Sequence, residues 1–325
     1  KPKKNELRKL RQGFDQDTNI YRLIHGSADR WKGLYVDRLG DYLLIQSPQS
    51  LTEKQKEETQ KIQHKLKLKG IYFKKLNRRI QKASSKDSTP QLIFGIKAPE
   101  SFEALELTVH YKLSFKQGYS TGLFLDMRDN RQRLLTNLIE PNFSIFDRSL
   151  RVPSVLNTFS YTCSLSLCAA KIGATTTNID LSKKYLDWGK DNFKRNNINP
   201  KDHDFIYGDT FDWMKRLNKK GILYDLVIID PPTFSRSKTS GLFQAKKHYE
   251  MLANAASKLV INNGILLACC NTSTFSLSNF KSDVRHGVLK GGRKIIQSVH
   301  SAQPLDFPTS PEEPAYLKAY WLRLN

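Results

Sequence analysis

The stretch from Tyr224 to Pro232, YDLVIIDPP, holds four consecutive apolar residues between two aspartates and closes on two prolines. An apolar run of this length is too short for a buried helix and is typical of a strand covered on both faces. Because Pro231 and Pro232 cannot donate backbone hydrogen bonds, we expect the strand to end at Asp230. The stretch therefore predicts a buried strand and, with it, the parallel sheet of an α/β domain.

Similar strands alternate with helices on both sides of this stretch. The predicted strands span 154–157, 175–179, 203–207, 224–229 and 265–269, and the predicted helices span 164–171, 182–196, 209–217 and 243–261. Such alternation predicts a doubly wound, Rossmann-like sheet with parallel strands and helices on both faces. In that architecture ligands bind beyond the carboxyl ends of the strands, so the candidate site residues are those that follow the strands.

The first part of the chain has a different pattern. Short β-like runs at 33–37 and 42–46 precede a charged helical stretch at 53–68, and Lys, Ser, Thr and Pro dominate a predicted loop at 82–90. We predict a smaller N-terminal α+β domain over residues 1–135, which includes the lead-in to the site, and a larger α/β domain over residues 136–325.

The net charge of the chain indicates which class of molecule it binds. It carries 53 Lys and Arg against 31 Asp and Glu, a formal net charge of +22. Such a field attracts polyanions, and no apolar run approaches the roughly 18 residues that a membrane-spanning helix needs. Nucleic acid is therefore the predicted partner, and no membrane partner is expected. A generally lysine-rich proteome is the alternative explanation, so the charge needs a motif beside it.

The four cysteines, Cys163, Cys168, Cys269 and Cys270, show no paired CxxC spacing. They therefore predict neither a metal site nor a disulfide framework, and they fit a reducing compartment. The chain begins at Lys1 rather than at a methionine. We expect a cytoplasmic protein, or an organellar one if an upstream targeting segment is missing.

The segment from Val155 to Thr162, VLNTFSYT, leads from a predicted strand into a predicted helix. Backbone N–H groups at a helix start can bind an anion, such as the carboxylate of S-adenosylmethionine. Asp180 ends the next strand, where an acidic side chain accepts hydrogen bonds from ribose hydroxyls in dinucleotide-binding folds. A dehydrogenase would share this aspartate, but the sequence contains no GxGxxG motif.

A further aspartate follows the third strand, within the segment from Tyr207 to Phe211, YGDTF. Asp209 can accept a hydrogen bond from an adenine amino group while Phe211 covers the ring. The alternative is a helix N-cap, in which Asp209 binds the first turn of the next helix. The sequence leaves both interpretations open.

The prolines after Asp230 can fix the backbone so that carbonyl groups at the strand end accept hydrogen bonds from the amino groups of a base. Phe234 can then stack on an extruded base, and Arg236 and Lys238 can bind its phosphates. A rigid loop that leaves the sheet is the structural alternative. This segment is the most specific local signal in the chain.

Four ordered motifs resemble one family. They lie at Gly118 to Arg131 (GYSTGLFLDMRDNR), Asn157 to Thr162, Asp180 to Trp188 and Asp230 to Lys238. These segments resemble the bacterial large-subunit rRNA methyltransferases of the cytosine-C5 and guanine-N7 types, and the last two are closer to the guanine type. The resemblance runs from about Tyr21 to the end of the chain.

The resemblance implies a Rossmann-like class I methyltransferase with a smaller N-terminal α+β domain, S-adenosylmethionine as cofactor, and RNA, in the form of rRNA or a pre-ribosomal particle, as partner. The implied cofactor contacts are Thr121, Leu125, Arg128, Phe159, Ser160, Tyr161, Thr162, Asp180, Leu181, Asp209, Thr210 and Phe211. The implied catalytic residues are Asp230, Pro231, Pro232, Phe234 and Asn271, with Asp230 beside the transferable methyl group.

The position of the methylated atom depends on Asn271. Methylation of cytosine C5 requires a thiolate that first attacks C6, and the nucleophile of the cytosine type aligns with Asn271, where the guanine type carries asparagine. Guanine N7 is therefore the favoured acceptor. The alternative is cytosine C5 with Cys269 or Cys270 as nucleophile, although both also fit small buried strand residues.

One residue departs from the family pattern. Cys163 stands where the family usually has glycine after Tyr-Thr, and a Cβ there is expected to crowd the cofactor carboxylate. A catalytically degenerate RNA-binding or ribosome-assembly module is therefore an alternative function. Methylation of a protein or a small molecule is a third.

Overall fold

The computed structural model describes residues 17–76, 89–116, 120–147, 151–237 and 241–325. The predicted loop at 82–90 lies mostly outside these residues. The chain divides into two compact units, one formed by residues up to Arg128 with Pro304–Pro314, the other by Asp129–Gln303 with Ala315–Asn325. The predicted domain boundary at residue 135 falls within the helix Arg128–Thr136. The first unit also includes a second segment, Pro304–Pro314, from much later in the chain.

The first unit contains a five-stranded sheet with the strand order β1-β2-β3-β4-β5. Its strands are β1 (Ile20–His25), β2 (Tyr35–Leu39), β3 (Tyr42–Ser47), β4 (Gly70–Lys75) and β5 (Gln91–Gly95), and the hairpin β6 (Phe102–Glu106) with β7 (Val109–Leu113) follows. Only β3 and β4 pair in parallel, and helix α1 (Glu53–Lys65) connects them. A capping box between Thr52 and Gln55 fixes the start of α1. The α+β pattern predicted for this region is present.

The second unit begins with α2 (Arg128–Thr136), whose first residue belongs to the first unit, and with the short strands β8 (Leu138–Glu140) and β9 (Phe143–Ser144). The elements that follow are β10 (Ser154–Thr158), α3 (Ser164–Lys171), β11 (Thr175–Asp180), α4 (Lys183–Arg195), β12 (Asp204–Tyr207), α5 (Thr210–Lys219), β13 (Tyr224–Ile229), β14 (Phe234–Ser237), β15 (Gly241–Gln244), α6 (Ala245–Ser257), β16 (Val260–Cys270), α7 (Leu277–Lys290), β17 (Ile295–Ser301) and β18 (Lys318–Leu324).

Seven of these strands form one sheet in the order β12-β11-β10-β13-β16-β18-β17. The first five are parallel to one another, which confirms the predicted doubly wound α/β fold. The order reverses between β10 and β13, so the loops that follow these two strands line the switch point where such sheets bind ligands. Beside the five predicted strands, β18 inserts antiparallel between β16 and β17.

The predicted bounds of one helix and one strand also need correction. The helix predicted over 243–261 spans Ala245–Ser257, since β16, predicted over 265–269, already begins at Val260. Helix α7 and strand β17 lie where no element was predicted.

Both faces of the large sheet are covered. Leu156, Val227 and Leu266 belong to one apolar cluster with residues of α5, α6 and α7. The neighbouring strand residues point to the opposite face, and Val155 and Leu226 there are also fully buried. In the part of the chain that the structure describes, no helix has the length and apolarity needed to cross a membrane.

Candidate functional site

The loop after β10 has an unusual backbone. Phe159, Tyr161 and Cys163 have φ angles of 53°, 49° and 61°, in the left-handed region that non-glycine residues rarely adopt. Each such residue costs about 1 kcal/mol or more, and backbone of this kind builds concavities that bind anions. The strained loop is where the sequence predicted an anion contact.

Asp180 fixes this loop from the end of β11. Its two carboxylate oxygens accept backbone hydrogen bonds from Tyr161 and Ser182, each at 2.8 Å. Burial raises the pKa of Asp180, and these two hydrogen bonds oppose that rise. Each carboxylate oxygen can accept a second hydrogen bond, as binding to both hydroxyls of a ribose would require.

Cys163 lies at the start of α3 and its side chain is fully buried. A Cβ built on Gly189 of α4 would lie 2.6 Å from Cys163 Sγ, so the missing side chain of Gly189 leaves the space that the thiol fills. Burial raises the pKa of the thiol far above its ordinary range. The side chain of Cys163 therefore packs against α4 inside the fold, and crowding of the cofactor stays a prediction.

Asp209 has the N-cap role that the sequence left open. Its Oδ1 atom accepts hydrogen bonds from the backbone N–H groups of Phe211 and Asp212, at 2.9 and 3.1 Å. Thr210 is buried beneath this turn, and the ring of Phe211 is partly buried. The cap does not exclude an adenine contact, so the role of Asp209 in cofactor binding stays a prediction.

The segment after β13 lies next to the segment after β16. Thr233 Oγ1 is 3.1 Å from Thr272 Oγ1 and 3.5 Å from Asn271 Oδ1. Asn271 is exposed, and Phe234 keeps 63% of its surface exposed. The predicted substrate residues thus meet at one edge of the sheet, with partly exposed Asp230, buried Pro231 and exposed Pro232 leading into them. Lys238 lies outside the described residues.

Cys269 and Cys270 are both fully buried within β16. The hydroxyl of Tyr249 from α6 donates to the Cys269 carbonyl oxygen at 2.6 Å and lies 3.3 Å from that of Ile229. Burial raises the pKa of Tyr249 well above its ordinary value. This tyrosine joins the ends of β13 and β16, and both cysteines occupy the small buried strand positions that were the structural alternative for them.

Three further predicted cofactor contacts, Thr121, Leu125 and Arg128, belong to the first unit. Arg128 is 3% exposed, and its guanidinium donates to Glu106 Oε1 at 3.2 Å, Asp306 Oδ1 at 2.7 Å and the Ile20 carbonyl oxygen at 3.0 Å. Leu125 is buried in a short 3₁₀ helix, and Thr121 is half-buried. The structure gives Arg128 an internal ion-pair role, and cofactor contact by these three residues stays a prediction.

A family model for S-adenosylmethionine-dependent methyltransferases matches residues 21–284. The chain belongs to this methyltransferase family. The Methanocaldococcus jannaschii protein MJ1653 is 34% identical over 328 residues, which cover 99% of this chain and 78% of that protein. Ribosomal RNA large subunit methyltransferase I of Aeromonas salmonicida is 28% identical over 306 residues, which cover 93% of this chain and 74% of that protein. The solved structure of SMU.776 complexed with SAH has a TM-score of 0.80 and 27% identity, over 99% of this chain and 82% of that one.

The residues of this methyltransferase fit its cofactor. The backbone N–H groups of the strained loop can bind a carboxylate, the oxygens of Asp180 can accept hydrogen bonds from a ribose, and the thiol of Cys163 packs against α4. A methyl sulfonium group needs no metal for transfer. In the described part of the chain, no group of three or more His, Cys, Asp or Glu side chains could hold a metal ion.

Two residues that contribute to the site were not predicted: Gly189 and Tyr249. Gly189 carries a local signal, because glycine within a helix costs about 1 kcal/mol and usually has a packing reason. Tyr249 resembles an ordinary helix residue in the sequence. Its role depends on which strands become neighbours.

Proposed function

We propose that this methyltransferase transfers a methyl group from S-adenosylmethionine to a ring nitrogen of a base in large-subunit rRNA, with guanine N7 as the favoured acceptor. The single observation that favours a ring nitrogen as the methylated atom is the arrangement of side chains where β13 and β16 end. Asn271 is exposed beside Thr233, whereas Cys269 and Cys270 are buried in the strand. The RNA substrate is supported by the +22 charge and by the names of relatives such as the Aeromonas protein.

We assign the loops at the carboxyl ends of the strands to two ligands, the cofactor and the substrate base. The cofactor loops are residues 158–163, 180–182 and 207–211. The substrate loops are residues 230–235 and 271–275. In this assignment, Phe159, Ser160, Tyr161 and Thr162 bind the amino-acid end of the cofactor, Asp180 and Leu181 bind the ribose, and Asp209, Thr210 and Phe211 bind the adenine.

The chemistry asks little of the protein beyond placement. The cofactor supplies a methyl group on a positively charged sulfur, a good leaving group. Guanine N7 has a lone pair and carries no proton, so transfer to it requires no general base, and the positive charge passes to the base. The carboxylate of Asp230 can stabilise that charge, Phe234 can stack on the base, and Asn271 can orient it. Cytosine C5 would instead need a thiolate within reach.

The test is transfer of labelled methyl groups to rRNA, followed by mass analysis of its nucleosides. We expect N7-methylguanosine, and we expect Asp230→Ala to lower kcat roughly a hundredfold. Asp230→Asn keeps the size and removes the charge, so it isolates the electrostatic part. No methylation of any RNA by the folded protein would refute the proposal.

The cytosine alternative has its own control. Cys269→Ala and Cys270→Ala should each retain methyl transfer, with circular dichroism to confirm folding. Loss of transfer in either folded variant, together with 5-methylcytidine in the product, would favour the cytosine reaction.

The catalytically degenerate module rested on Cys163. Since that thiol is buried against α4, the main argument for a degenerate module is weaker. Calorimetry with S-adenosylmethionine distinguishes a methyltransferase from a degenerate module. We expect binding with one cofactor per chain. Absence of binding by the folded protein would support the degenerate module.

A further inference from the structure

The strands β14 and β15 form an antiparallel hairpin between the substrate loop after β13 and helix α6. Phe234 pairs with Gln244, and Ser235 pairs with Phe243. Paired residues share a face and neighbours along a strand alternate, so Phe234 and Leu242 lie on one face and Phe243 lies on the other. The Ala245 N–H group donates to the Thr233 carbonyl oxygen at 3.1 Å and closes the base of the hairpin.

The inner face of this hairpin is attached to the cofactor loops. Phe243 is 5% exposed, and its ring centroid lies 6.2 Å from that of Phe159 and 5.7 Å from that of Phe211. Phe159 belongs to the strained loop after β10, and Phe211 follows the capping aspartate after β12. A single side chain of the hairpin therefore contacts two of the three cofactor loops.

The outer face presents two exposed apolar side chains. Phe234 is 63% exposed and Leu242 is 54% exposed. Two exposed lysines, Lys246 and Lys247, follow directly at the start of α6, whose first turn contains no acidic residue. Cations oppose the dipole at a helix start, so these lysines do not serve the stability of the helix. Two exposed apolar side chains, followed in the chain by two exposed lysines, match a strand of unpaired bases and their phosphates. We call the two apolar side chains the platform.

We propose that the outer face of the hairpin, with Leu242 beside Phe234, contacts unpaired bases next to the target base, and that Phe243 is a positioning residue that links RNA binding to cofactor binding. This inference rests on the proposed function. Unpaired RNA exposes its base faces, whereas a duplex hides them, so the platform should distinguish the two. Coupling between two binding sites is reciprocal. S-adenosylhomocysteine, the product formed from the cofactor, should therefore raise the affinity of the protein for RNA by the same factor by which RNA raises its affinity for S-adenosylhomocysteine.

The first test concerns the platform. Leu242→Ser should weaken binding of an unpaired rRNA oligonucleotide roughly threefold to tenfold at constant salt, and leave binding of the same oligonucleotide annealed to its complement unchanged. Leu289→Ser is the matched control, since Leu289 is a leucine of α7 that is 57% exposed. An equal loss in both variants, or an equal loss for duplex, would overturn the role of the platform.

The second test concerns the link. In the native chain, S-adenosylhomocysteine should raise the affinity for the unpaired oligonucleotide; Phe243→Ala should abolish that increase, and Phe243→Leu should restore part of it. A merely structural role would lower the melting temperature and leave the coupling factor unchanged. A native chain without coupling, or a Phe243→Ala variant with the native factor, would overturn the inference.

The outcomes separate this inference from the proposed function. If the native chain methylates no RNA while Leu242→Ser still weakens binding of unpaired RNA, the function fails and the platform stands. If rRNA is methylated and neither hairpin variant changes binding or coupling, the function stands and the platform fails.

Discussion

The cofactor loops and the substrate loops follow strands of the same sheet, yet they are built differently. In the cofactor loops, Asp180 accepts two backbone hydrogen bonds, Asp209 caps a helix and Cys163 is fully buried. In the substrate loops, Phe234 and Asn271 are exposed. The difference teaches that the cofactor side is organised by the fold itself, whereas the substrate side presents side chains for a large ligand to organise.

The largest expected effect comes from crowding the cofactor side. Gly189→Ala would place a Cβ 2.6 Å from Cys163 Sγ and 3.4 Å from the Thr162 carbonyl oxygen. Overpacking of this kind costs about 1–3 kcal/mol, so the affinity for S-adenosylmethionine should fall roughly tenfold or more. The double variant Gly189→Ala with Cys163→Gly should recover most of the affinity in calorimetry.

Gly287→Ala is the matched control, since its Cβ would crowd the Glu250 carbonyl oxygen where α7 packs on α6. Cys163→Gly should rescue the first variant and leave the second unchanged. A rescue of both, or of neither, would contradict the pairing of Cys163 with Gly189.

Asp180→Asn is expected to have the next largest effect. The asparagine keeps one acceptor oxygen and turns an NH₂ group toward a backbone N–H, which costs about 1–3 kcal/mol of unfolding free energy. Because burial raises the pKa of Asp180 above its ordinary value of 3.8, the carboxyl stabilises the fold fully at low pH and loses that contribution as the pH rises through the raised pKa.

The unfolding free energy of the native chain minus that of Asp180→Asn should therefore decrease as the pH rises above 3.8. Denaturant titrations of both proteins at several pH values measure this difference. An increase with pH would mean that the two backbone hydrogen bonds outweigh burial.

A smaller effect is expected from the helix cap. Asp209→Ala removes the acceptor for Phe211 and Asp212 and should cost about 1 kcal/mol, whereas Asp209→Asn can still cap. Thermal unfolding measures both variants. If Asp209→Asn binds S-adenosylmethionine more weakly while its stability is native, the carboxylate has a cofactor role beyond the cap.

The smallest effect on stability is expected on the substrate side. Phe234→Ala removes a ring that is 63% exposed, so the unfolding free energy should change by no more than about 0.5 kcal/mol. The KM for RNA should rise, since the ring is a proposed base contact. If Phe234→Ala lowered the unfolding free energy more than Asp209→Ala does, the cofactor loops and the substrate loops would not differ in their contribution to stability.

The sequence predicts features that depend on neighbouring residues better than features that depend on distant ones, for physical reasons. Strand β13 was predicted with its observed bounds because prolines end a short apolar run. Helices α4 and α5 were predicted to begin at Ser182 and Asp209, which are the N-caps of these helices. These signals lie within a few residues of each other. The antiparallel insertion of β18, the fit of Cys163 against Gly189 and the face of Phe243 each depend on segments far apart in the chain.

The last segment of the chain has a consequence for synthesis. Residues 304–314 return to the first unit, where Asp306 pairs with Arg128, and β18 then enters the large sheet between β16 and β17. A ribosome releases the chain from its N-terminal side. Until these residues emerge, Arg128 lacks its partner Asp306, and the large sheet lacks the strand between β16 and β17. The first unit can reach its final packing only after residues 304–314 have left the exit tunnel, and the large sheet only after β18 has followed.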